Sequence, residues 1–215
     1  MKIAIVTCAT KNREWLYNIT NPTKEKYCKE HSIDYKFDTE FYPDKEYLPG
    51  WNKILYIRKY LDQYDYVMWL DDDAGFIRFD FDMQKFIEKS FTDDRLLLIC
   101  RDKHNINSGV MIFKSCKESK AVLESIWKYR SLFKTDHHGY TGVMEQPAII
   151  DFCLKCPNKV IIGDGHILNA YDKVYYDSPI NARTVDSVIL HIAGGSDFKN
   201  KRRDLIRDLY ALNNV

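Results

Sequence analysis

The 215-residue sequence predicts one α/β domain with a mixed, mostly parallel central sheet flanked by helices. Short apolar, β-branched runs alternate with longer segments of helical periodicity, and no repeat, low-complexity tract or Pro/Gly linker divides them. Size agrees: 45% hydrophobic residues over this length supply one sizeable core and are too few for two ordinary domains.

Each element follows in order. KIAIVTCA is a first strand whose apolar stretch is too short to span a membrane and carries no signal-peptide cleavage pattern. KNREWLYNITNPTKEKYCKEHS has helical character interrupted at Asn21-Pro22, and IDYKFDTE alternates as a half-exposed strand, which completes a β-α-β unit. WNKILYIRKYLDQY places Ile54, Leu55, Arg58 and Leu61 at helical spacing, and DYVMWL follows as a short buried strand. DMQKFIEKSF reads as a helix, RLLLIC and SGVMIFK as strands, KESKAVLESIWKYRSLF as an amphipathic helix and EQPAIIDFCLKC as another. KVIIGDG, SVILHIAGG and a basic helix, KNKRRDLIRDLYAL, close the chain.

Charge and cysteine content bound the function. With 32 basic and 31 acidic residues, no global field draws the protein to nucleic acid or an anionic membrane. No segment predicts an integral membrane span, and six scattered cysteines fit reduced thiols in a cytoplasmic setting better than a disulfide framework. Cys153 and Cys156 have redox or zinc spacing, but there is no second pair, so they are expected to be structural thiols.

The stretch WLDDDAGF sets the main question. Neighbouring carboxylates repel by up to about 1 kcal/mol per close pair in water, and by more when partly buried. They follow a predicted strand, and ligands of open α/β sheets bind beyond the carboxyl ends of the strands. Two hard oxygens, from Asp71 and Asp73, suit Mn²⁺ or Mg²⁺, which keep water and phosphate as further ligands. A polar turn capping the next helix would use the same residues. Asp80 and Asp82 in FDFD have the same spacing but follow no apolar strand, and they are expected to cap only.

Three further segments fall on the same edge. Thr7, Ala9 and Arg13 follow the first strand, where backbone groups and a cation suit a base and a phosphate. Asn107, Ser108 and Gly109 precede a strand with small side chains that permit close approach of a ligand, or form a plain tight turn. His191 ends an apolar strand ahead of paired glycines and the basic residues Lys199, Lys201, Arg202 and Arg203, a grouping that suits a pyrophosphate and metal cradle. A satisfied core histidine and a solvated basic helix are the plainer alternatives.

In this order, WLDDDA, NSGVMIF, the acidic-Gln pair of MEQPA and HIAGG followed by a lysine resemble the GT-A nucleotide-sugar glycosyltransferases, over roughly residues 3–200. The likeness is to the retaining galactosyl- and mannosyltransferases of Golgi type, and in size and lack of a Golgi anchor to the compact glycosyltransferase domains of chlorella viruses. It implies a single Rossmann-like GT-A domain over residues 1–215, with a nucleotide-binding half at 1–105 and an acceptor and donor-sugar half at 106–215. It also implies a UDP-sugar donor, a carbohydrate acceptor and Mn²⁺ or Mg²⁺ held by Asp71, Asp73 and His191. Asp72 would touch the ribose. Thr7, Cys8, Ala9 and Arg13 would receive the nucleotide, Gly194 and Lys199 the phosphates, and Asn107 to Gly109 the donor sugar, with Arg101 and Asp102 contributing. Glu145 and Gln146 stand where relatives have Asp-Gln near the anomeric carbon, and the longer glutamate is a departure. Glu145, Gln146 and Asp102 are thus the catalytic candidates.

Transfer with retention needs a carboxylate nucleophile or front-face attack aided by the leaving phosphate, and inversion needs an opposing base. Two other classes fit parts of the pattern. A metal-dependent phosphohydrolase of the haloacid-dehalogenase type also places D-x-D after a strand, normally the first of its core, and a non-catalytic nucleotide-sugar binding module would need the same ligands. The aromatic segments YLPGW and HHGYTG suit stacking on sugar faces, or the core.

Overall fold

The computed structural model describes residues 1–41, 48–102, 105–133, 144–172 and 179–192. Apolar runs without alternation form the central strands β1 (Ile3–Cys8) and β3 (Tyr66–Leu70), because both faces of each are covered. With β2 (Asp34–Asp38), β5 (Leu97–Asp102), β6 (Asn105–Lys114) and β7 (Val160–Gly163) they make a six-stranded sheet of order β2-β1-β3-β6-β5-β7. β1 runs parallel to β2 and β3, and β5 parallel to β7; β6 alone is reversed, antiparallel to both β3 and β5. The mixed α/β architecture is therefore as the sequence predicts.

Period-2 alternation divides the core into two layers. Val6, Trp69, Met111 and Phe113 face one side, against Ile54 and Ile57 of α2 (Asn52–Tyr60), Leu123 and Ile126 of α4 (Lys117–Tyr129) and Ile149 of α5 (Gln146–Lys155). Ile5, Met68, Leu70, Val110 and Ile112 face the other, against Tyr27 and Cys28 of α1 (Glu14–Glu30) and Met83 and Ile87 of α3 (Met83–Ser90). Each fully buried Ile or Leu here contributes roughly 1.5–3 kcal/mol.

Two expectations are corrected. The first helix is not interrupted at Asn21-Pro22: α1 runs unbroken through Pro22. Its buried positions Leu16, Tyr17, Thr20, Thr23, Lys24, Tyr27 and Cys28 keep i, i+3, i+4 spacing across the proline, so packing outweighs a local cost of about 3 kcal/mol. The Asn21 side chain is also used, accepting from Tyr35 Oη at 2.8 Å. The second correction concerns Asn107 to Gly109, which lie inside β6 rather than in a turn before it; the ladder to β5 shifts register between Ile99 and Cys100.

Smaller readings hold, with one exception. Asp82 caps α3, accepting from Lys85 N at 2.9 Å, whereas Asp80 caps no described helix and instead pairs with half-buried Arg78. All six cysteines are free, and burial pushes the Cys153 thiol up to about 12, which disfavours its thiolate. No helix among the described residues is long and apolar enough to cross a membrane. The basic closing helix, Tyr47 of YLPGW and all of HHGYTG lie outside the described residues.

What positions the site is a second, two-stranded sheet. β4 (Ala74–Phe76) follows the aspartates directly and pairs antiparallel with β8 (Ile189–His191), with Ala74 opposite His191. α6 (Gly165–Leu168), begun by an Asp164 side-chain cap, leads into Asn169 beneath this pair.

Candidate active site

The three aspartates occupy the reversal between β3 and β4. Asp71 N donates to Gly109 O at 2.9 Å, Ala74 N to Asp71 O at 3.0 Å and Ile192 N to Asp73 O at 3.0 Å, so this turn is fixed from three directions. The Ala74–His191 register then carries the imidazole over the turn. His191 Nε2 lies 3.1 Å from Asp73 Oδ1 and 3.8 Å from Asp71 Oδ2.

These three side chains offer ligand atoms that all lie within 4.8 Å of one another. Two carboxylate oxygens and one imidazole nitrogen are a donor set suited to Mn²⁺. The ring is also held from behind: buried Asn169 Oδ1 accepts from His191 Nδ1–H at 2.8 Å, which turns Nε2 toward the aspartates. Gly109 makes room for it, because a Cβ at that position would lie 2.1 Å from His191 Cε1. Burial disfavours the charged imidazole, but the charge and hydrogen bond of Asp73, reinforced by Asp71, raise the His191 pKa above its ordinary value.

Carboxylate crowding is relieved by side chains as well. Arg13 grips Asp72 with two hydrogen bonds, Nε to Oδ2 at 2.5 Å and Nη2 to Oδ1 at 2.7 Å, and reaches Asp73 Oδ2 at 3.3 Å. Burial opposes this guanidinium's charge, yet Asp72 with Asp73 and Asp71 raise its pKa. Burial raises the Asp72 carboxyl, against the hydrogen bond from Arg13. Lys53 places its ammonium 2.9 Å from Asp71 Oδ1 and 2.6 Å from Glu145 Oε1, and only 5% of the residue is exposed. Burial alone would lower this lysine's pKa, but Asp71 and Glu145 raise it. Lys24 stands behind the turn, donating to Asp71 O at 3.0 Å; burial pushes it down to about 8 against the pull of the three aspartates.

A cavity of about 600 Å³ opens over this cluster. One end is lined by Cys8, Ala9, Thr10, Asn12 and Arg13 at the end of β1, the other by Asn52, Lys53, Ser108, Glu145 and Gln146. Ser108 ties the second end together: its Oγ donates to Glu145 Oε1 at 2.8 Å, and its N–H to Gln146 Oε1 at 3.0 Å. Gly50 lets this wall close, since a Cβ there would meet Glu145 Oε2 and Met144 Sδ, each at 2.6 Å.

Most sequence-predicted residues therefore converge, and some do not. Asp71, Asp72, Asp73, Asn107, Ser108, Gly109, Glu145, Gln146, His191, Cys8, Ala9 and Arg13 line the cavity. Thr7 does not: it is wholly buried and its hydroxyl donates to Leu70 O at 2.8 Å, which joins β1 to β3. Asp102 also stands back from the cavity lining, accepting from Asn105 N at 3.0 Å and from Asn107 Nδ2 at 3.1 Å, the latter a residue that does line it. Arg101 is turned to the exterior, and its carbonyl accepts from Asn181. Gly194 and Lys199 lie outside the described residues. The reading of the sequence missed Lys53, Lys24, Asn169 and Trp69, whose indole Nε1–H donates to Asp71 Oδ1 at 2.6 Å.

Comparison with known proteins bears on this arrangement. Residues 2–96 match the model of the galactosyl transferase GMA12/MNN10 family. No curated protein sequence matches the chain. Among solved structures, a glycosyltransferase involved in glycosylation of the major capsid of PBCV-1 superposes with a TM-score of 0.76 at 18% identity, over 97% of this chain and 100% of that one. The galactosyltransferase LgtC, solved with donor and acceptor sugar analogs, gives 0.58 at 12% identity over 99% and 96%. The apo glycosyltransferase GlyE of Streptococcus pneumoniae TIGR4 gives 0.62 at 11% identity, over 100% of this chain and 64% of that one. The chain thus has the fold of the GT-A glycosyltransferases and resembles them in sequence over its first half.

Proposed function

We propose that the protein is a metal-dependent glycosyltransferase that moves a sugar from a UDP-sugar to a hydroxyl of a carbohydrate acceptor, with retention. The observation that carries this reading is the convergence of Asp71, Asp73 and His191 on one point inside a cavity also lined by Lys53 and Glu145, whose buried ion pair reaches Asp71. The donor set fits Mn²⁺ or Mg²⁺, which when bound offsets the charge growing on a departing diphosphate.

The chain's own residues divide the remaining work. Ala9, Thr10 and Asn12, with the β1 carboxyl edge, offer backbone and amide groups to the nucleoside, and Arg13 keeps Asp72 fixed beside it. Lys199 is assigned to the phosphates by its place after the glycines. Asn107, Ser108, Glu145 and Gln146 surround the donor sugar. Glu145 is a poor nucleophile here, because Oε1 is held by both Lys53 and Ser108 in a buried ion pair. Front-face transfer fits better: the bond from the anomeric carbon to the phosphate oxygen breaks, the acceptor oxygen bonds on the same face, and its proton goes to the departing phosphate oxygen.

Calorimetric titration of UDP with and without Mn²⁺, on the wild type and on Asp73→Ala, tests the site. Metal-dependent binding lost in the variant supports it; equal binding without metal, or none, overturns it. UDP-sugar turnover with a retained anomeric centre by NMR supports the mechanism. An inverted product refutes retention, cleavage of an aryl phosphate instead identifies a phosphohydrolase, and binding without transfer or donor hydrolysis identifies a binding module.

A further inference from the structure

Arg13 and Lys53 meet the aspartates from within the cavity, whereas Lys24 meets them from behind and does not line it. Lys24 has 0% exposure. An ammonium in such a place is costly, and an apolar side chain of the same length would fill the space. Its neighbours on the same face of α1 act on the same stretch of backbone. Thr20 Oγ1 donates to Asp72 O at 2.6 Å, Lys24 Nζ to Asp71 O at 3.0 Å, and Thr23 Oγ1 accepts from Phe76 N at 3.0 Å while donating to Thr20 O at 2.7 Å. Positions 20, 23 and 24 are spaced i, i+3, i+4, so one helix turn grips the chain from residue 71 to residue 76. None of these bonds involves a carboxylate. They fix where the main chain turns, and so the direction in which the side chains of Asp71 and Asp73 leave it.

We propose that Lys24, assisted by Thr20 and Thr23, is a positioning residue for the divalent cation: it holds the Asp71–Asp73 backbone so that both carboxylates and His191 point at one ion. This rests on the reading of Asp71, Asp73 and His191 as the metal ligands. The effect is one of geometry, because charge alone would act in the opposite sense: a nearby ammonium repels a metal ion, and removing it would tighten binding.

The test uses the full chain with UDP and Mn²⁺ as probes, comparing wild type, Lys24→Met and Thr20→Val. For Lys24→Met the apparent Mn²⁺ dissociation constant at fixed UDP is expected to rise about 10- to 100-fold, the range typical of losing an outer support of a metal site. UDP binding without metal and the melting temperature of the metal-free protein are expected to change little. Unchanged or tighter Mn²⁺ binding overturns the proposal. So does a parallel fall in melting temperature and in metal-free UDP binding, which marks a merely structural lysine. If Lys24→Met does not fold, Thr20→Val decides: weaker Mn²⁺ binding at an unchanged melting temperature supports the proposal, and unchanged Mn²⁺ binding overturns it. Failure of the wild type itself to bind UDP in a metal-dependent way overturns the site reading as a whole, a result distinct from any difference between variants.

Discussion

Replacing Gly109 by alanine should disable the site without replacing any of the proposed metal ligands. The added Cβ would lie 2.1 Å from His191 Cε1 and 2.6 Å from Nδ1, where ordinary contact begins at 3.4 Å. The ring must therefore retreat by about 1 Å or more to reach normal carbon–carbon separation. It has little room, since His191 is 97% buried (3% exposed), its Nδ1 is tied to Asn169 and its backbone is paired to β4. Overpacking of this kind costs about 1–3 kcal/mol, and displacing one of the three proposed metal ligands should weaken Mn²⁺ by about tenfold or more. Thermal unfolding of the metal-free protein and Mn²⁺-dependent UDP calorimetry read the two effects. A double-mutant cycle isolates the cause: the stability loss from Gly109→Ala should largely vanish in a His191→Ala background, where the clashing ring is gone. If the loss is the same in both backgrounds, or if Gly109→Ala binds Mn²⁺ and UDP as the wild type does, the steric argument is wrong.

Other consequences can be checked in the same way. Lys53→Met should cost about 3–5 kcal/mol by leaving Glu145 buried and unpaired, and Lys53→Met/Glu145→Leu should recover much of that loss in thermal unfolding. The raised pKa of His191 stabilises the metal-free fold fully below its ordinary value of 6.5, and this contribution is lost as pH rises through the higher folded value. Metal-free melting temperature should therefore fall across that window in wild type and not in His191→Asn, while Mn²⁺ affinity rises over the same range as the imidazole loses its proton. EDTA should weaken UDP binding to its metal-free level yet shift the melting temperature little, because Arg13, Lys53 and Lys24 already offset the aspartates; unfolding on chelation would contradict this. Cys153→Ser/Cys156→Ser should leave Mn²⁺ and UDP binding unchanged, and a loss of either would reopen a role for the pair.

The β-α-β start and the strand before the aspartates were legible because apolar runs and helical periodicity are local properties of the chain. Asp71, Asp73 and His191 were legible as candidate ligands, two hard oxygens at close spacing and an imidazole after an apolar strand, but spacing alone suited a capped turn and a core histidine as well. The pairing of Ala74 with His191, which brings them together, is a contact between distant segments and leaves no mark in spacing. Pro22 misled because local propensity was outweighed by burial on both sides of it. Lys24 and Lys53 did leave a sign: each shares a helix face with buried residues, Lys24 with Tyr27 and Cys28, Lys53 with Tyr56 and Ile57. A lysine on an apolar stripe is a request for a buried partner.

The reversed direction of β6 has an architectural consequence. In a wholly parallel sheet each strand offers the crevice only its last residues, followed by a loop of the chain's choosing. Because β6 runs against β3, it offers its opening residues instead: Asn107 pairs with Cys100 of β5, and Ser108 and Gly109 fall where that ladder shifts register, with Gly109 O accepting from Asp71 N. This wall of the cavity is then part of a strand, whereas Glu145 and Gln146 stand at the threshold of a helix. Substitutions at that threshold can therefore reshape the cavity without altering the strand that is tied to Asp71.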